Sequence, residues 1–140
     1  LEMMRSTVEA VDRQCSQQGI ERPLLIAVTV LTSSDANVLN ETGIESSVDE
    51  QVLRLAKLAK AAGFDGVVAS AGEAAIIRQD IGEDFVIVTP GIRAKDATND
   101  DQRRVMTFSD AIENGATYAV IGRPITGQTD RVAAVSAIIG

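Results

Sequence analysis

The sequence contains no histidine and no tryptophan, and it has a single cysteine, Cys15. Without histidine the chain lacks the commonest general acid–base group and the commonest metal ligand. No cysteine cluster or aspartate-rich loop takes the place of histidine, so we predict no metal site. One cysteine cannot form a disulfide within the chain, and nothing in the sequence indicates an oxidising compartment. We therefore expect a cytoplasmic protein.

Long apolar runs and positive charge are also scarce. No run approaches the length of a membrane span, and no signal peptide precedes the first helical pattern, so we expect no membrane association. The net charge of −7 argues against nucleic acid or an anionic membrane as the main partner. A few arginines close together could still bind the phosphate of a small molecule.

Aromatic residues make up only 3% of the chain, although 45% of it is hydrophobic. A core built mainly from alanine, valine, isoleucine and leucine suits the packed layers of an α/β protein. The 140 residues are enough for one domain, which we place at 1–140. The chain begins at Leu1, directly in a helical pattern, and we therefore expect it to be the interior of a longer reading frame.

An amphipathic pattern over residues 1–18 is followed by four apolar runs, each leading into a helical pattern, the first through a predicted polar loop at 36–46. The predicted strands are Leu24–Leu31, Gly66–Ser70, Phe85–Thr89 and Tyr118–Ile121. This alternation predicts a parallel sheet with right-handed crossovers. Units of about 30 residues are typical of a (β/α)8 TIM barrel, which needs eight units and about 250 residues. The chain is therefore predicted to be half of such a barrel, the C-terminal half, preceded by one helix.

Helix starts are marked by side chains that can cap them. Ser47 with Glu50 and Ser70 with Glu73 have the spacing of capping boxes. Thr107 could cap a shorter helix in the same way.

Two neighbouring strand ends carry glycine and arginine. Pro90, Gly91 and Arg93 follow the third predicted strand, and Gly122-Arg123 follows the fourth. Glycine lets backbone N–H groups approach an anion closely, and arginine offers a fixed fork of donors, so the pair of strand ends predicts a phosphate site. Gln102 would add a donor and an acceptor from the intervening loop. The alternative is ordinary turn chemistry with surface ion pairs.

Groups for acid–base chemistry are missing from the same strand ends. The three lysines lie on a helix (Lys57 and Lys60) or in the loop (Lys95), and none follows a strand beside a carboxylate. No strand end carries a pair of acids. The residues therefore predict binding groups without a general acid.

Five blocks of sequence closely resemble bacterial orotidine 5'-phosphate decarboxylase, and they occur in the order and spacing of that family. The blocks are Leu24–Ser33 (LLIAVTVLTS), Asp65–Ser70 (DGVVAS), Val88–Arg93 (VTPGIR), Asp101–Met106 (DQRRVM) and Val120–Pro124 (VIGRP). The resemblance implies a homodimeric TIM barrel that forms uridine 5'-phosphate (UMP) and CO2 without metal or organic cofactor.

The resemblance also implies roles for single residues, all in substrate binding. Arg123 and the backbone of Gly122 would bind phosphate, and Gln102 would close over phosphate and base. Arg93 would contact the substrate as well. Thr32 would hold the edge of the pyrimidine, and Pro90 would line the pocket.

The sequence departs from the family in one large respect. The family's Asp-x-Lys-x-x-Asp element, whose lysine protonates the carbon left by CO2, belongs to the third strand of the barrel and does not occur here. One interpretation is an enzyme fragment that supplies the phosphate- and pyrimidine-binding half. A second is a non-catalytic half-barrel that assembles with a copy of itself and binds a phosphorylated ligand. A third is a related sugar-phosphate decarboxylase.

Overall fold

The computed structural model describes residues 1–92 and 106–139. Within these ranges the elements follow the predicted order, with one helix and then four strands, each followed by at least one helix. They are α1 (Glu2–Gln18), β1 (Ile26–Val28), α2 (Ala36–Glu41), α3 (Val48–Ala62), β2 (Gly66–Val68), α4 (Ala71–Ile81), β3 (Val86–Pro90), α5 (Phe108–Glu113), β4 (Tyr118–Val120), α6 (Arg123–Thr126) and α7 (Arg131–Ile139).

The strands form one parallel sheet in the order β1-β2-β3-β4, which confirms the predicted parallel sheet. β2 pairs with Val86 to Val88 of β3, whereas β4 pairs with Val88 to Pro90. On β3, the residues that pair with β4 therefore lie two positions closer to the carboxyl end than the residues that pair with β2. Such a stagger is expected for the tilted strands of a barrel.

Three elements differ from the prediction. β1 takes only the middle of its apolar run, because it is an edge strand whose ladder extends no further than that of β2. Helix α2 lies in the predicted polar loop, where the Asp35 carboxylate accepts the N–H groups of Asn37 (2.9 Å) and Val38 (3.1 Å). Helix α6 follows β4 directly and has a proline in its first turn.

The predicted capping boxes form at the starts of α3 and α4. The Ser47 N–H donates to the Glu50 carboxylate (2.9 Å), while the Glu50 N–H donates to the Ser47 hydroxyl (3.3 Å). The Ser70 N–H donates to the Glu73 carboxylate (2.7 Å), which is buried. Among the helices of the two described ranges, none is long and apolar enough to cross a membrane.

The main core lies between the middle of the sheet and helices α3 and α4. As the composition predicts, it consists almost entirely of small aliphatic side chains. Its buried members are Val52, Ala56, Ala59, Val67, Ala69, Ala74, Ile77, Ile81, Phe85 and Ile87. A second cluster, described below, lies nearer the carboxyl end of β3. The helices therefore cover one face of the sheet.

The opposite face of the sheet, here called the inner face, is uncovered in the described part of the chain. Register places Val28, Val68, Val88 and Tyr118 in one row on this face, since in-register residues of parallel neighbours point the same way. Val28 is 60% exposed and Tyr118 is 55% exposed. The next residue of this face on β4, Val120, is exposed as well. The sheet thus presents an apolar surface without a second layer.

Candidate functional site

The carboxyl ends of the four strands form one edge of the sheet, here called the rim. Four of the predicted site residues belong to the rim: Thr32, Pro90, Gly122 and Arg123. Arg93 and Gln102 lie outside the described residues. The predicted site residues on the rim therefore come from the ends of β1, β3 and β4.

At the β1 end, Thr29 extends the strand pairing by one residue. Its N–H (3.3 Å) and its hydroxyl (2.8 Å) both donate to the Val68 carbonyl. A turn follows, in which the Ser34 N–H donates to the Leu31 carbonyl (2.8 Å). Thr32 lies exposed in this turn, and its hydroxyl makes no hydrogen bond with any described residue.

At the β3 end, the backbone takes a left-handed conformation at Gly91, between two buried side chains, Thr89 and Ile92. Thr89 is fully buried on the helix-covered face, and its hydroxyl has no partner among the described residues. Pro90 is half-buried on the inner face. Gly91 has φ +81, a left-handed conformation that favours glycine. Ile92 is then only 2% exposed, so the backbone of the turn is fixed from below.

At the β4 end, Gly122 begins helix α6. Its carbonyl accepts the N–H groups of Ile125 (2.9 Å) and Thr126 (3.0 Å). A Cβ atom at Gly122 would meet nothing within 4 Å, so the space around its backbone is open. The side chain of Arg123 is exposed and makes no ion pair or hydrogen bond within the described ranges. The alternative interpretation of this strand end, turn chemistry with a surface ion pair, therefore finds no ion pair of Arg123 among the described residues.

The two glycine–arginine strand ends are neighbours. Pro90 pairs directly with Val120 in the β3–β4 ladder. The ladder ends at this pair, so the segments that begin at Gly91 and at Ile121 leave the sheet next to each other. This adjacency, predicted from the order of the strands, brings the two ends to one place on the rim.

The carboxylates that follow the β1 and β2 ends, Asp35 and Glu73, are already occupied. Asp35 caps α2 through two backbone N–H groups. Glu73 accepts the Ser70 N–H in the capping box of α4. Both carboxylates serve helix starts, so neither is placed as a general base at the rim.

A charged cluster with shifted pKa values lies at the opposite, amino-terminal end of the sheet. Burial raises the pKa of Asp65, but hydrogen bonds from the Leu25 N–H (2.7 Å) and the Arg22 guanidinium (2.6 Å) outweigh it, and the pKa lies below its ordinary value. The hydrogen bonds to Asp65 and to Asp12 (2.7 Å) raise the pKa of Arg22. This cluster ties α1 and β1 to the start of β2 and has a structural role.

Sequence reasoning missed one residue that shapes the rim, Ile92. It belongs to the second cluster with Ala71, Ala111 and Ala116. An isolated apolar residue after a proline and a glycine gives no periodic signal, so the sequence could not identify it. Only its burial shows that it anchors the turn.

The family model described as "Orotidine 5'-phosphate decarboxylase / HUMPS family" matches residues 1–138 of the chain. The chain belongs to this family. A protein of Pelobacter propionicus named orotidine 5'-phosphate decarboxylase is 52% identical over 139 residues, which are 99% of this chain and 57% of that protein. One of the same name from Neisseria meningitidis is 53% identical over 132 residues, 94% of this chain and 52% of that protein. The chain thus spans about half the length of these decarboxylases.

Solved structures agree with this assignment. The crystal structure of orotidine 5'-phosphate decarboxylase from Lactobacillus acidophilus matches with a TM-score of 0.69 and 44% identity, covering 86% of this chain and 50% of that one. An uncharacterised conserved protein from Geobacillus kaustophilus matches with a TM-score of 0.78 and 36% identity, covering 98% and 56%. The chain therefore forms about half of the α/β-barrel fold of the decarboxylase family, while its assignment to the C-terminal half stays a prediction.

Proposed function

We propose that the chain supplies the phosphate- and pyrimidine-binding half of an orotidine 5'-phosphate decarboxylase, which forms UMP and CO2 in pyrimidine synthesis. The observation that carries the proposal is the pairing of Pro90 with Val120, which sets the two glycine–arginine strand ends side by side. Membership of the decarboxylase family supports the choice of substrate. The free thiol of Cys15 is compatible with a cytoplasmic location, which we also propose.

Phosphate binding is assigned to the β4 end. The Arg123 guanidinium has no partner among the described residues and can present two parallel N–H groups to phosphate oxygens. The open space around Gly122 lets the same anion approach the backbone. Arg93 and Gln102, which lie outside the described residues, are proposed to complete the contacts to phosphate and base.

Recognition of the pyrimidine is assigned to the opposite part of the rim. The exposed hydroxyl of Thr32 can both donate and accept, as the polar edge of a pyrimidine requires. Pro90 on the inner face would form an apolar wall between the two subsites. The phosphate and the base would then lie along the rim from β4 toward β1.

The chemical step needs a group that the described rim does not supply. Loss of CO2 breaks the bond between a ring carbon and the carboxylate carbon, and the electron pair left on the ring must take up a proton. Lys57 pairs with Asp80 (2.6 Å) and Lys60 donates to the Ile81 carbonyl (2.5 Å), both between α3 and α4. We propose that the proton comes from the lysine of the Asp-x-Lys-x-x-Asp element, which this chain does not contain.

The inner face supports the proposal that a second set of strands completes the fold. Helix α1 packs beside α3, the first long helix after the edge strand β1, and α7 packs beside α5, the helix before the edge strand β4. If two copies closed a barrel about a two-fold axis, α7 of one copy and α1 of the other would lie over the same junction. A complement that begins and ends with strands avoids this conflict. The arrangement therefore favours the missing half of the barrel over a second copy as the cover.

Binding and turnover test the proposal separately. Titration calorimetry should show that the chain prefers UMP to uridine, and that Arg123→Ala removes about 10- to 100-fold of UMP affinity, the equivalent of one or two charge-assisted hydrogen bonds. Arg54 is an exposed arginine on α3, and Arg54→Ala is the matched control. It should change the affinity for neither UMP nor uridine. Equal binding of UMP and uridine by the unaltered chain would refute the phosphate site.

Turnover is followed by the ultraviolet absorbance of orotidine 5'-phosphate. The chain alone should leave the absorbance unchanged, and addition of a separately made polypeptide that carries the other half should start the reaction. Decarboxylation by the chain alone would show that the proton donor lies within these 140 residues. That result would contradict its assignment to the other half.

A further inference from the structure

The second cluster lies beneath both glycine–arginine strand ends. Its buried members come from the start of α4, the end of β3, helix α5 and the segment before β4: Ala71, Ile92, Ala111 and Ala116. Partly buried side chains pack against it: Met106, Phe108, Ala119 and Ile121. The cluster is separate from the main core between α3, α4 and the middle of the sheet.

On the β3 side the cluster holds the Gly91 turn through Ile92. Gly91 adopts a left-handed conformation, and the next side chain is 2% exposed. A turn that ends in a buried side chain cannot shift without opening a cavity or moving its neighbours. The position of the Gly91 backbone is therefore set by the packing of Ile92.

On the β4 side the same cluster holds the segment that leads to Gly122. Tyr118 and Val120 belong to the inner face, and the alternating residues Ala119 and Ile121 point to the helix-covered face, where they pack against the cluster. Gly122 follows immediately. Its position depends on the packing of Ile121 as that of Gly91 depends on Ile92.

We propose that Ile92 is a positioning residue for phosphate binding. By filling the second cluster from the β3 side, it sets the spacing between the Gly91 turn and the Gly122-Arg123 strand end. The choice of phosphate as the ligand rests on the proposed function. The coupling of the two strand ends through the cluster does not depend on it. Ile92 touches no ligand in this account and acts through the backbone of both ends.

The test compares two isoleucine truncations of the same chemistry. Ile92→Ala opens a cavity in the second cluster, and Ile77→Ala opens one in the main core, where Ile77 is fully buried. Both should lower the free energy of unfolding. Only Ile92→Ala should weaken UMP binding, because it alone displaces the groups that donate hydrogen bonds to phosphate. The expected loss of affinity is about tenfold, the equivalent of one charge-assisted hydrogen bond. Uridine binding should not change in either variant.

A conservative pair keeps the test valid if the alanine variants unfold. Ile92→Val and Ile77→Val remove one methylene each and should remain folded. Ile92→Val should retain UMP affinity to within about twofold, since most of the packing volume is kept. Because valine restores stability at both positions, the comparison then rests on the unliganded chain: Ile92→Val should still shift the amide resonances of Gly122 and Arg123, and Ile77→Val should not.

A ligand-free readout separates this inference from the proposed function. In nitrogen–proton correlation spectra of the unliganded chain, Ile92→Ala should shift the amide resonances of Gly122 and Arg123, and Ile77→Ala should leave them in place. Unshifted amide resonances in Ile92→Ala would overturn the inference. So would a UMP affinity of Ile92→Ala equal to that of the unaltered chain, provided that the unaltered chain prefers UMP to uridine. Shifted amides in a chain without that preference would instead refute the proposed function.

Discussion

Arg78 offers the sharpest test of how this half-barrel is held together. From α4 its guanidinium donates to the carbonyls of Gly115 (2.8 Å), Glu83 (2.8 Å), Phe85 (2.5 Å) and Gly82 (3.2 Å). It also donates to the Thr117 hydroxyl (2.8 Å). The side chain is 12% exposed. One residue thus connects α4 to the segments that lead into β3 and β4.

The size of the effect follows from what its removal leaves behind. In Arg78→Ala, water can reach the carbonyls of the exposed loop, such as that of Glu83. The carbonyls of Phe85 and Gly115 are less accessible, and an unsatisfied buried acceptor costs about 1–3 kcal/mol. For these two acceptors together we therefore expect a loss of about 2–6 kcal/mol in the free energy of unfolding, which is a large part of the stability of a small domain. Lysine at this position, with one ammonium group, should recover only part of the loss.

The assay is urea unfolding followed by far-ultraviolet circular dichroism, with the variants Arg78→Ala, Arg78→Lys and Arg13→Ala. Arg13 is an exposed arginine of α1 and should change stability by less than about 0.5 kcal/mol. A loss below about 1 kcal/mol in Arg78→Ala, with an unchanged slope, would refute the reasoning, because it would mean that water satisfies all the acceptors.

Two further predictions concern the sheet and its amino-terminal end. Gly66→Ala should destabilise the chain by about 2–3 kcal/mol in urea unfolding, because the added Cβ would lie 2.1 Å from the Val86 carbonyl oxygen of the adjoining strand. Gly72→Ala in α4 is the control, since its Cβ would meet nothing closer than 3.9 Å and alanine favours helix. Asp65, whose pKa is lowered on folding, should contribute stability above its unfolded pKa of about 3.9 and lose it as the pH falls through the folded value. The difference in unfolding free energy between the unaltered chain and Asp65→Asn should therefore stay constant above a pH of about 5 and narrow as the pH falls below it.

The outcomes that would contradict these two predictions are distinct. Equal stability of the two glycine variants would mean that β2 and β3 separate at little cost. A difference between the unaltered chain and Asp65→Asn that stays constant with pH would mean that the carboxylate contributes by packing alone. Either result is read from the same urea titrations.

The sequence was informative about three of the four strands. The predicted strand Phe85–Thr89 lies within one residue of β3, Tyr118–Ile121 exceeds β4 by one residue, and Gly66–Ser70 starts where β2 starts. A buried strand must be apolar throughout, so its limits can be read locally. The run Leu24–Leu31 misled, because the length of an edge strand depends on its single neighbour and not on its own composition.

The residues of the candidate site also differ in how far the sequence could identify them. The position of Gly122 and Arg123 after a strand could be predicted from the apolar run before them, while their role in binding stays a prediction. Arg78 and Ile92 could not be predicted, since their roles depend on which distant backbone atoms and side chains the fold brings to them. Thr89 is a third case, a buried hydroxyl that no local pattern distinguishes from a strand-end cap.

The sequential strand order has a consequence for how the chain responds to stress. Each strand pairs only with the strands next to it in sequence, so the sheet behaves as a short array with nearest-neighbour coupling. In such an array an end unit can open without opening the middle. β1 and β4, each with one neighbour, should exchange their amide hydrogens through local fraying, whereas β2 and β3 should exchange only through global unfolding.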